Sequence, residues 1–159
     1  MARTLDFLQK VLDALNKKDE TEMLLEVLGY LMKSAWLFTD HIIWFGKIKV
    51  ITIDTKQWGK NSAWCWLAAN STLAVRDMYK LQQLLHHYQE LKRAGDPIPG
   101  THLQEEIRKT KLQLVIDLCD ITIPLSSLGY TSKGLGAAGG VVSSVVGGYL
   151  VWQKNVGQK

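Results

Sequence analysis

The feature of this sequence that most restricts its fold is a stretch of 19 uncharged residues, Gly134 to Trp152. The stretch contains no Asn, Gln or Pro, and a lysine lies close beyond each of its ends. About 20 apolar residues are enough for a helix to cross a bilayer. Tyr149 and Trp152 are aromatic residues of the kind that concentrates at the membrane–water interface. The stretch therefore predicts a transmembrane helix over residues 131–154.

Small residues recur at every fourth position of this stretch. Such a ridge allows a second helix to approach closely, so we expect helix–helix association there. A soluble phosphate-binding turn would instead need a strand before its GxGxxG motif and a helix after it, and that order is absent. Because the stretch has many glycines and few leucines, it needs helix partners in a membrane. The predicted association residues are Gly136, Gly140, Ser144 and Gly148.

The overall composition excludes several other classes of protein. The 159 residues are the length of one domain, and 47% apolar residues are too many for an intrinsically disordered chain. A net charge of +4 is too weak for a dedicated nucleic-acid binder, so no nucleic-acid partner is expected. Cys65 and Cys119 stand far apart and form no metal or redox motif.

Two helices are expected before the apolar middle of the chain. Leucines recur on one helical stripe over residues 4–16, which predicts a short amphipathic helix. That helix could lie on a membrane or pack against partner helices, and its mixed charges favour packing. A capping pattern at Asp19 starts the second helix, which is expected to end near Gly46.

The apolar region over residues 35–53 is a poor simple membrane span because it contains four ionisable side chains. A charge at the centre of a bilayer costs ~2.5–3.5 kcal/mol on insertion scales. An interfacial or re-entrant helix fits the region better. Alternatively the four groups line a polar pathway, because intramembrane ionisable residues commonly mark one. They are Asp40, His41, Lys47 and Lys49.

A long third helix is predicted over residues 58–93. Its first half includes 14 residues without charge and is expected in or at the membrane, while its second half is amphipathic and emerges into water. Prolines and glycines predict a loop at residues 94–101. An amphipathic helix and turn follow over residues 102–130, where Pro124 and Gly129 are expected to break the helix.

Together these segments predict an all-α integral membrane helical bundle, in a single domain of residues 1–159. Amphipathic helices are expected over residues 1–33 and membrane-associated helices over residues 34–93. The loop, the amphipathic helix and turn, and the Gly-rich C-terminal transmembrane helix follow. Aromatic residues near the ends of the apolar segments are expected at the membrane interface. They are Trp36, Trp44, Trp58, Tyr149 and Trp152.

No pattern of catalytic or metal-binding residues accompanies these helices. The sequence has no P-loop, HExxH or GxSxG motif. His86 and His87 are adjacent in sequence, so on a helix they do not point at one metal. Asp117 and Asp120 share a helix face, but nothing nucleophilic accompanies them, and a structural role is preferred. We therefore expect no enzyme activity, no cofactor and no metal.

Several blocks of the sequence, taken in order, resemble the peroxisomal biogenesis factor 11 family. They are an aromatic-Asp-x-x-x-Trp block, a later Arg-Asp-Met-Tyr block, an Asp-x-x-x-Pro-Leu and Leu-Gly signature, and a Gly-x-x-Ser-Ser terminal span. The blocks cover roughly residues 30–152, and we expect this chain to lack the N-terminal part of the family pattern. The residues that match the family motifs are Asp40, Gly46, Lys47, Arg76, Asp77, Asp117, Asp120, Pro124, Leu128 and Gly129.

The resemblance implies an integral protein of the peroxisomal membrane that promotes elongation, proliferation and fission of peroxisomes. It acts, on this interpretation, through membrane insertion and self-association. The implied partners are membrane lipids, further copies of the chain in a homo-oligomer, and proteins of the fission machinery. A second interpretation, which the ionisable groups of the apolar region keep open, is a pore for small metabolites in the same membrane.

Overall fold

The structure, a computed structural model, describes residues 2–17, 19–94 and 101–156. In that part of the chain all regular structure is helical, and the all-α prediction is confirmed. Residues 95–100 of the predicted loop lie outside the described residues. The helices are α1 (Ala2–Ala14), α2 (Glu20–Lys47), α3 (Thr55–Arg93), α4 (Thr101–Ser127) and α5 (Lys133–Val156).

Aspartate side chains begin the two longest helices. Asp19 caps α2, and its Oδ1 accepts hydrogen bonds from the backbone N–H groups of Thr21 at 2.9 Å and Glu22 at 3.0 Å. Asp54 caps α3 in the same way, accepting from two N–H groups of its first turn. Such a cap satisfies N–H groups that have no partner inside the helix. The start of α2 thus lies where the capping pattern predicts it.

Each helix packs against the next helix along the chain, so that α1 to α5 form an antiparallel array. Trp64 near the start of α3 lies beside Tyr130, just after α4, with ring centroids 6.2 Å apart. The α2–α3 turn and the α4–α5 turn are therefore neighbours. We call this part of the bundle the turn end and define it as residues 44–60 and 124–136.

The opposite end of the bundle carries charges of both signs, and some of these make contacts between helices. Lys80 of α3 lies 3.1 Å from Glu106 of α4. Arg108 of α4 donates a hydrogen bond to the side-chain oxygen of Gln153 on α5 at 2.9 Å. The lysines of the turn end, by contrast, are exposed and have no carboxylate within 4 Å in the described part of the chain. The two ends of the bundle thus differ in the number of carboxylates that lie among their basic residues.

Close backbone approach, rather than a thick apolar core, holds neighbouring helices together. Gly29 of α2 lies against α3, where an added Cβ would stand 2.7 Å from Leu73 Cγ. Leu73 and Ala69 are themselves buried. Many larger apolar side chains remain on the outer surface of the helices. The bundle therefore buries small residues between helices and presents large apolar ones to its surroundings.

One detail of the sequence prediction is wrong, because Pro124 does not break α4. The helix continues to Ser127. Pro124 lies in the last turn and its ring is fully buried, so packing offsets the hydrogen bond that a proline cannot donate. The predicted break at Gly129 is present, because the helix ends two residues before it. The φ of Gly129 is 87°, and its N–H donates to the Ser126 carbonyl at 3.2 Å. Glycine adopts this left-handed conformation without steric cost.

Candidate functional site

The predicted ridge of small residues on α5 divides into a covered half and an open half. At Gly136 an added Cβ would lie 2.7 Å from Ser126 Cβ of α4, and at Gly140 it would lie 3.4 Å from Ile123 Cδ1. Ser144 is exposed, and Gly148 has no atom of another residue within 4 Å of the added Cβ. The first half of the ridge thus serves the α4–α5 contact inside the chain, and the second half faces outward.

Gly139, which the sequence analysis did not select, makes a closer approach than its neighbour Gly140. An added Cβ there would lie 2.7 Å from the backbone oxygen of Cys119, and it would also meet the hydroxyl of Thr122. The ridge was traced at a spacing of four residues, whereas Gly136 and Gly139 are three apart. Residues at both spacings share a helix face. The adjacent pair of glycines at 139 and 140 was the signal that could have revealed this contact.

The outer face of α5 is apolar and lacks a partner within the described residues. Val141, Val145 and Trp152 are each more than half exposed, with Val145 at 67%. Of the described helices, α5 alone is long and apolar enough to cross a membrane, and only 11% of its most apolar window is buried inside the bundle. A helix buried as the core of a soluble protein would be largely covered, so α5 does not resemble one.

The predicted interfacial aromatic residues lie toward both ends of the bundle but are not equally free. Trp44, at the turn end, is 56% exposed, and Trp58 is half-buried nearby. Trp36 is held between helices, because its ring stacks on that of Trp66 with centroids 4.9 Å apart. The exposed pair Tyr149 and Trp152 lies on the last turns of α5, with ring centroids 6.3 Å apart.

Three residues of the family motifs, two adjacent in α3 and one from α4, meet between the helices. Arg76 Nε donates to Asp77 Oδ1 at 2.7 Å, and a second guanidinium nitrogen lies 3.5 Å from Glu26 Oε1. The same guanidinium donates to the Tyr30 hydroxyl at 3.4 Å. Asp117 of α4 is 1% exposed and accepts from its neighbour Gln113 at 3.1 Å. Its carboxyl group is close enough to that of Asp77 for the two charges to repel each other.

This buried cluster contains more carboxyl groups than its cation can pair with fully. Asp77 is 2% exposed, and one oxygen of each buried aspartate, Asp77 Oδ2 and Asp117 Oδ2, has no hydrogen-bond partner in the described part of the chain. Burial and the nearby charge of Asp77 raise the pKa of Asp117. Lys33 of α2 is close enough for its charge to act on Asp117 and Asp120. The cluster therefore links α2, α3 and α4 through buried charges of both signs.

The ionisable residues proposed to line a pathway do not converge on one passage. Asp40 and Lys47 line the same cleft at the turn end. His41 is exposed, and its Nδ1 lies 2.6 Å from the Leu37 carbonyl of its own helix. Lys49 is exposed in the α2–α3 turn. Only two of the four groups therefore share a cavity.

The other motif residues shape the two turns rather than a reactive centre. Gly46 allows Ile53 to fold back onto α2, since an added Cβ would lie 2.7 Å from Ile53 Cδ1. Leu128 follows the last residue of α4, and its N–H donates to the Pro124 carbonyl at 2.9 Å. Asp120 is half-buried beside the cluster. These positions fix where α2 and α4 end.

No three His, Cys, Asp or Glu side chains are arranged to hold a metal ion in residues 2–17, 19–94 and 101–156. Cys65 and Cys119 are free thiols, each half-buried. His86 Nδ1 lies 3.4 Å from Glu90 on the exposed face of α3. We find no arrangement in this part of the chain that indicates catalysis.

Comparison with known proteins gives a family. A family model described as Peroxisomal biogenesis factor 11 (PEX11) matches residues 1–152. The match includes residues 1–29, in which the sequence analysis found no family motif. No curated protein matches the chain, and no solved structure matches it. Because the match covers nearly all of its 159 residues, the chain belongs to the peroxisomal biogenesis factor 11 family, which is associated with peroxisome proliferation and division and is not known as an enzyme family.

Proposed function

We propose that this chain is an integral protein of the peroxisomal membrane that promotes elongation and fission of the organelle by inserting helices and associating with further copies of itself. The observation that carries the proposal is α5, a helix of 24 residues with an apolar outer face and no covering partner in the described part of the chain. At 1.5 Å per residue it is about 36 Å long. That length exceeds the ~30 Å hydrocarbon core of a bilayer.

Membrane insertion supplies the partner that the outer face of α5 lacks. Moving an exposed Val or Leu side chain from water into an apolar medium contributes about 1.5–3 kcal/mol when its burial is complete. Leu135, Val141, Val145 and Val151 are all more than half exposed. Their burial in lipid would therefore contribute several kcal/mol in total. Lys133 and Lys154, toward the two ends of α5, stand where their charges reach the headgroup regions.

α1 supports the proposed effect on membrane shape. It packs on α2, where Phe7 stacks on Tyr30 with ring centroids 6.1 Å apart, and Ala14 is buried. Leu12 and Leu15 nevertheless remain exposed, although leucine favours burial. An amphipathic helix that sinks ~5–10 Å into one leaflet widens it and favours curvature. The exposed leucines give α1 and the turn after it an apolar edge for this purpose.

The open half of the small-residue ridge supports self-association. Val141, Ser144, Gly148 and Trp152 lie on one outward strip of α5. Gly148 has open space where a Cβ would stand, so the backbone of a second α5 can approach there. The covered half, around Gly136, is occupied by α4 and does not offer this surface.

The proposal is tested by reconstituting the purified full chain into liposomes of peroxisome-like lipid composition. Flotation, carbonate extraction and electron microscopy then report binding, integration and shape. We expect the chain to stay with the membrane after carbonate treatment and to draw the liposomes into tubules. Release by carbonate would overturn membrane integration. Firm integration with liposomes that remain round at all protein densities would overturn the elongation activity.

A further inference from the structure

The turn end is a basic surface with few carboxylates. Five lysines are exposed there, and the nearby carboxylates number only two, those of Asp40 and Asp54. Asp54 is already engaged as the cap of α3. Unpaired ammonium groups on one surface create a positive potential that attracts anions. The lysines are Lys47, Lys49, Lys56, Lys60 and Lys133.

A cleft of about 370 Å³ opens within this basic surface, between the end of α2 and the start of α3. Lys47 and Lys56 line it from opposite sides of the turn, and Ser127 closes it from the end of α4. The stacked rings of Trp36 and Trp66 form an aromatic wall. Neither lysine has a carboxylate within 4 Å in the described residues, although Asp40 lines the same cleft.

Ser62 adds a hydroxyl group to the cleft. It lines the cleft and is only 6% exposed. Its hydroxyl can donate a hydrogen bond to an acceptor that enters the cleft, which adds a neutral donor to the two ammonium groups.

The combination of two ammonium groups and hydroxyl donors matches the oxygens of a phosphate group. Charge-assisted hydrogen bonds from lysine to phosphate are among the strongest that a side chain can make. The Asp40 carboxylate at the same cleft accepts a hydrogen bond and therefore suits a hydroxyl or ammonium group attached to that phosphate. A phosphodiester headgroup carries both kinds of group, whereas inorganic phosphate offers only the first.

Apolar side chains around the cleft indicate that the phosphate arrives with a membrane. Phe45 in the last turn of α2 and Ile48 and Val50 in the α2–α3 turn are all exposed, Val50 by 65%. Trp44 is exposed beside them. Lysines interleaved with apolar residues suit the headgroup region, where the apolar parts sink toward the acyl chains and the charges remain among the phosphates.

Lys49 is a charged residue in a backbone conformation that usually favours glycine. It adopts a φ of 60°, in the left-handed region, at the same position after α2 that Gly129 occupies after α4. In both turns the two N–H groups after the helix close back on its last carbonyls. Glycine fits this position without strain, whereas any other residue is disfavoured there.

From these observations we propose that the turn end binds anionic phospholipid, with the phosphate of one headgroup held in the cleft by Lys47, Lys56 and Ser62. The proposal rests on the membrane insertion proposed above and adds a lipid class and a site to it. The remaining lysines of the turn end gather anionic headgroups around the occupied cleft. Anionic phospholipid is thereby a specific ligand of the chain, in addition to forming part of the bilayer around it.

The test uses tryptophan fluorescence of the full chain in phosphatidylcholine vesicles that contain phosphatidylserine. In paired samples, one lipid or the other carries brominated acyl chains, which quench tryptophans that they touch. Five of the six tryptophans lie between residues 36 and 66, in or beside the turn end, so quenching reports on lipid there. We expect stronger quenching by brominated phosphatidylserine, with a preference of about fivefold for each contributing lysine at low ionic strength.

Matched variants locate the preference within the bundle. The double variant Lys47→Gln with Lys56→Gln is expected to lose most of the preference, and Ser62→Ala to weaken it although every charge is kept. The control, Lys92→Gln with Lys111→Gln, removes the same charge from exposed positions of the opposite end and should leave the preference unchanged. Equal losses in the control and the turn-end variant would overturn the site. An unchanged preference in Ser62→Ala would overturn the cleft as the phosphate site.

Two further measurements distinguish a failure of lipid selection from a failure of the membrane insertion on which it rests. Carbonate extraction of each variant reports membrane integration, which all variants should retain. A parent chain that stays in the membrane but is quenched equally by both lipids refutes lipid selection while leaving membrane insertion standing. Inorganic phosphate should not abolish the preference when it is compared with a chloride salt at the same ionic strength, which controls for screening. If it does so without releasing the chain, the cleft takes soluble phosphate and the lipid assignment is wrong.

Discussion

Replacing Gly139 by alanine tests the α4–α5 contact, and Gly148→Ala is its matched control. Both glycines lie in α5, where a change from glycine to alanine gains about 1 kcal/mol of helix propensity in each case. Their surroundings differ. A Cβ at Gly139 would lie 2.7 Å from the backbone oxygen of Cys119, whereas a Cβ at Gly148 meets nothing within 4 Å. The difference between the two variants therefore isolates the helix contact.

The cost of Gly139→Ala depends on which atoms must move to make room for the new methyl group. A backbone oxygen belongs to the helix itself and cannot rotate aside, so α4 and α5 must separate to admit the methyl group. Forcing an extra carbon into a well-packed contact typically costs about 1–3 kcal/mol. We therefore expect Gly139→Ala to unfold more easily than Gly148→Ala by about 1–3 kcal/mol. Gly148→Ala should be at least as stable as the parent chain.

The free energy of unfolding is measured for the purified full chain in mild detergent micelles, by titration with dodecyl sulfate and far-ultraviolet circular dichroism. Comparing the two variants under one set of conditions removes most uncertainty about the unfolded state. Equal stability of Gly139→Ala and Gly148→Ala would refute the close approach of α5 to α4. A Gly148→Ala variant that is clearly less stable than the parent would show that the outward position is covered.

Three further outcomes are expected from the same preparation. Lys49→Gly should raise the free energy of unfolding by about 0.5–1 kcal/mol, since it removes the steric cost of a side chain in the left-handed conformation. The same variant should weaken selection of anionic lipid. A loss of stability would contradict the turn geometry. Ser144→Leu with Gly148→Leu should abolish crosslinked dimers in liposomes while the chain remains folded, and dimers that persist would exclude the open ridge as their interface. The pKa of Asp19 is lowered chiefly by the backbone N–H of Glu22 and then by the amide of Gln83. The stability that the Asp19 carboxylate contributes is therefore complete above its pKa in the unfolded chain, near 4, and is lost as the pH falls below that value. Asp19→Asn should flatten the dependence of stability on pH in this range, measured by thermal unfolding. An unchanged slope would refute the role of the carboxylate.

Local patterns predicted most of the helices because local physics determines them. The spacing of leucines, the capping aspartate before α2 and the proline-rich loop before α4 each act within a few residues. The start of α2 at Glu20 and the end of α4 shortly before Gly129 follow from such signals. Pro124 misled the prediction because the stability of its helix turn comes from burial, which the sequence alone does not report.

The candidate sites were harder to predict because they depend on which helices are neighbours. Arg76, Asp77 and Asp117 were each noticed as family motif residues, but nothing in the sequence indicated that they meet in one buried cluster. The cleft at the turn end likewise brings residues from α2, α3 and α4 together, and Ser62 has no distinguishing pattern of its own. Pairing of the helices creates both sites.

The open array of helices bears on the choice between a membrane-shaping protein and a pore. The helices pack in chain order, so the array has two edges, with α1 and α2 at one edge and α5 at the other. The charges inside it are engaged with one another, as the contacts of Arg76 with Asp77 and Glu26 illustrate. Paired buried charges join helices together, whereas a conducting passage needs polar groups that face water. A passage would then have to form between copies of the chain, at the α5 edge where the open ridge lies. The crosslinking test at Ser144 and Gly148 therefore bears on both readings, because a chain that does not associate there can form neither the proposed scaffold nor a pore at that edge.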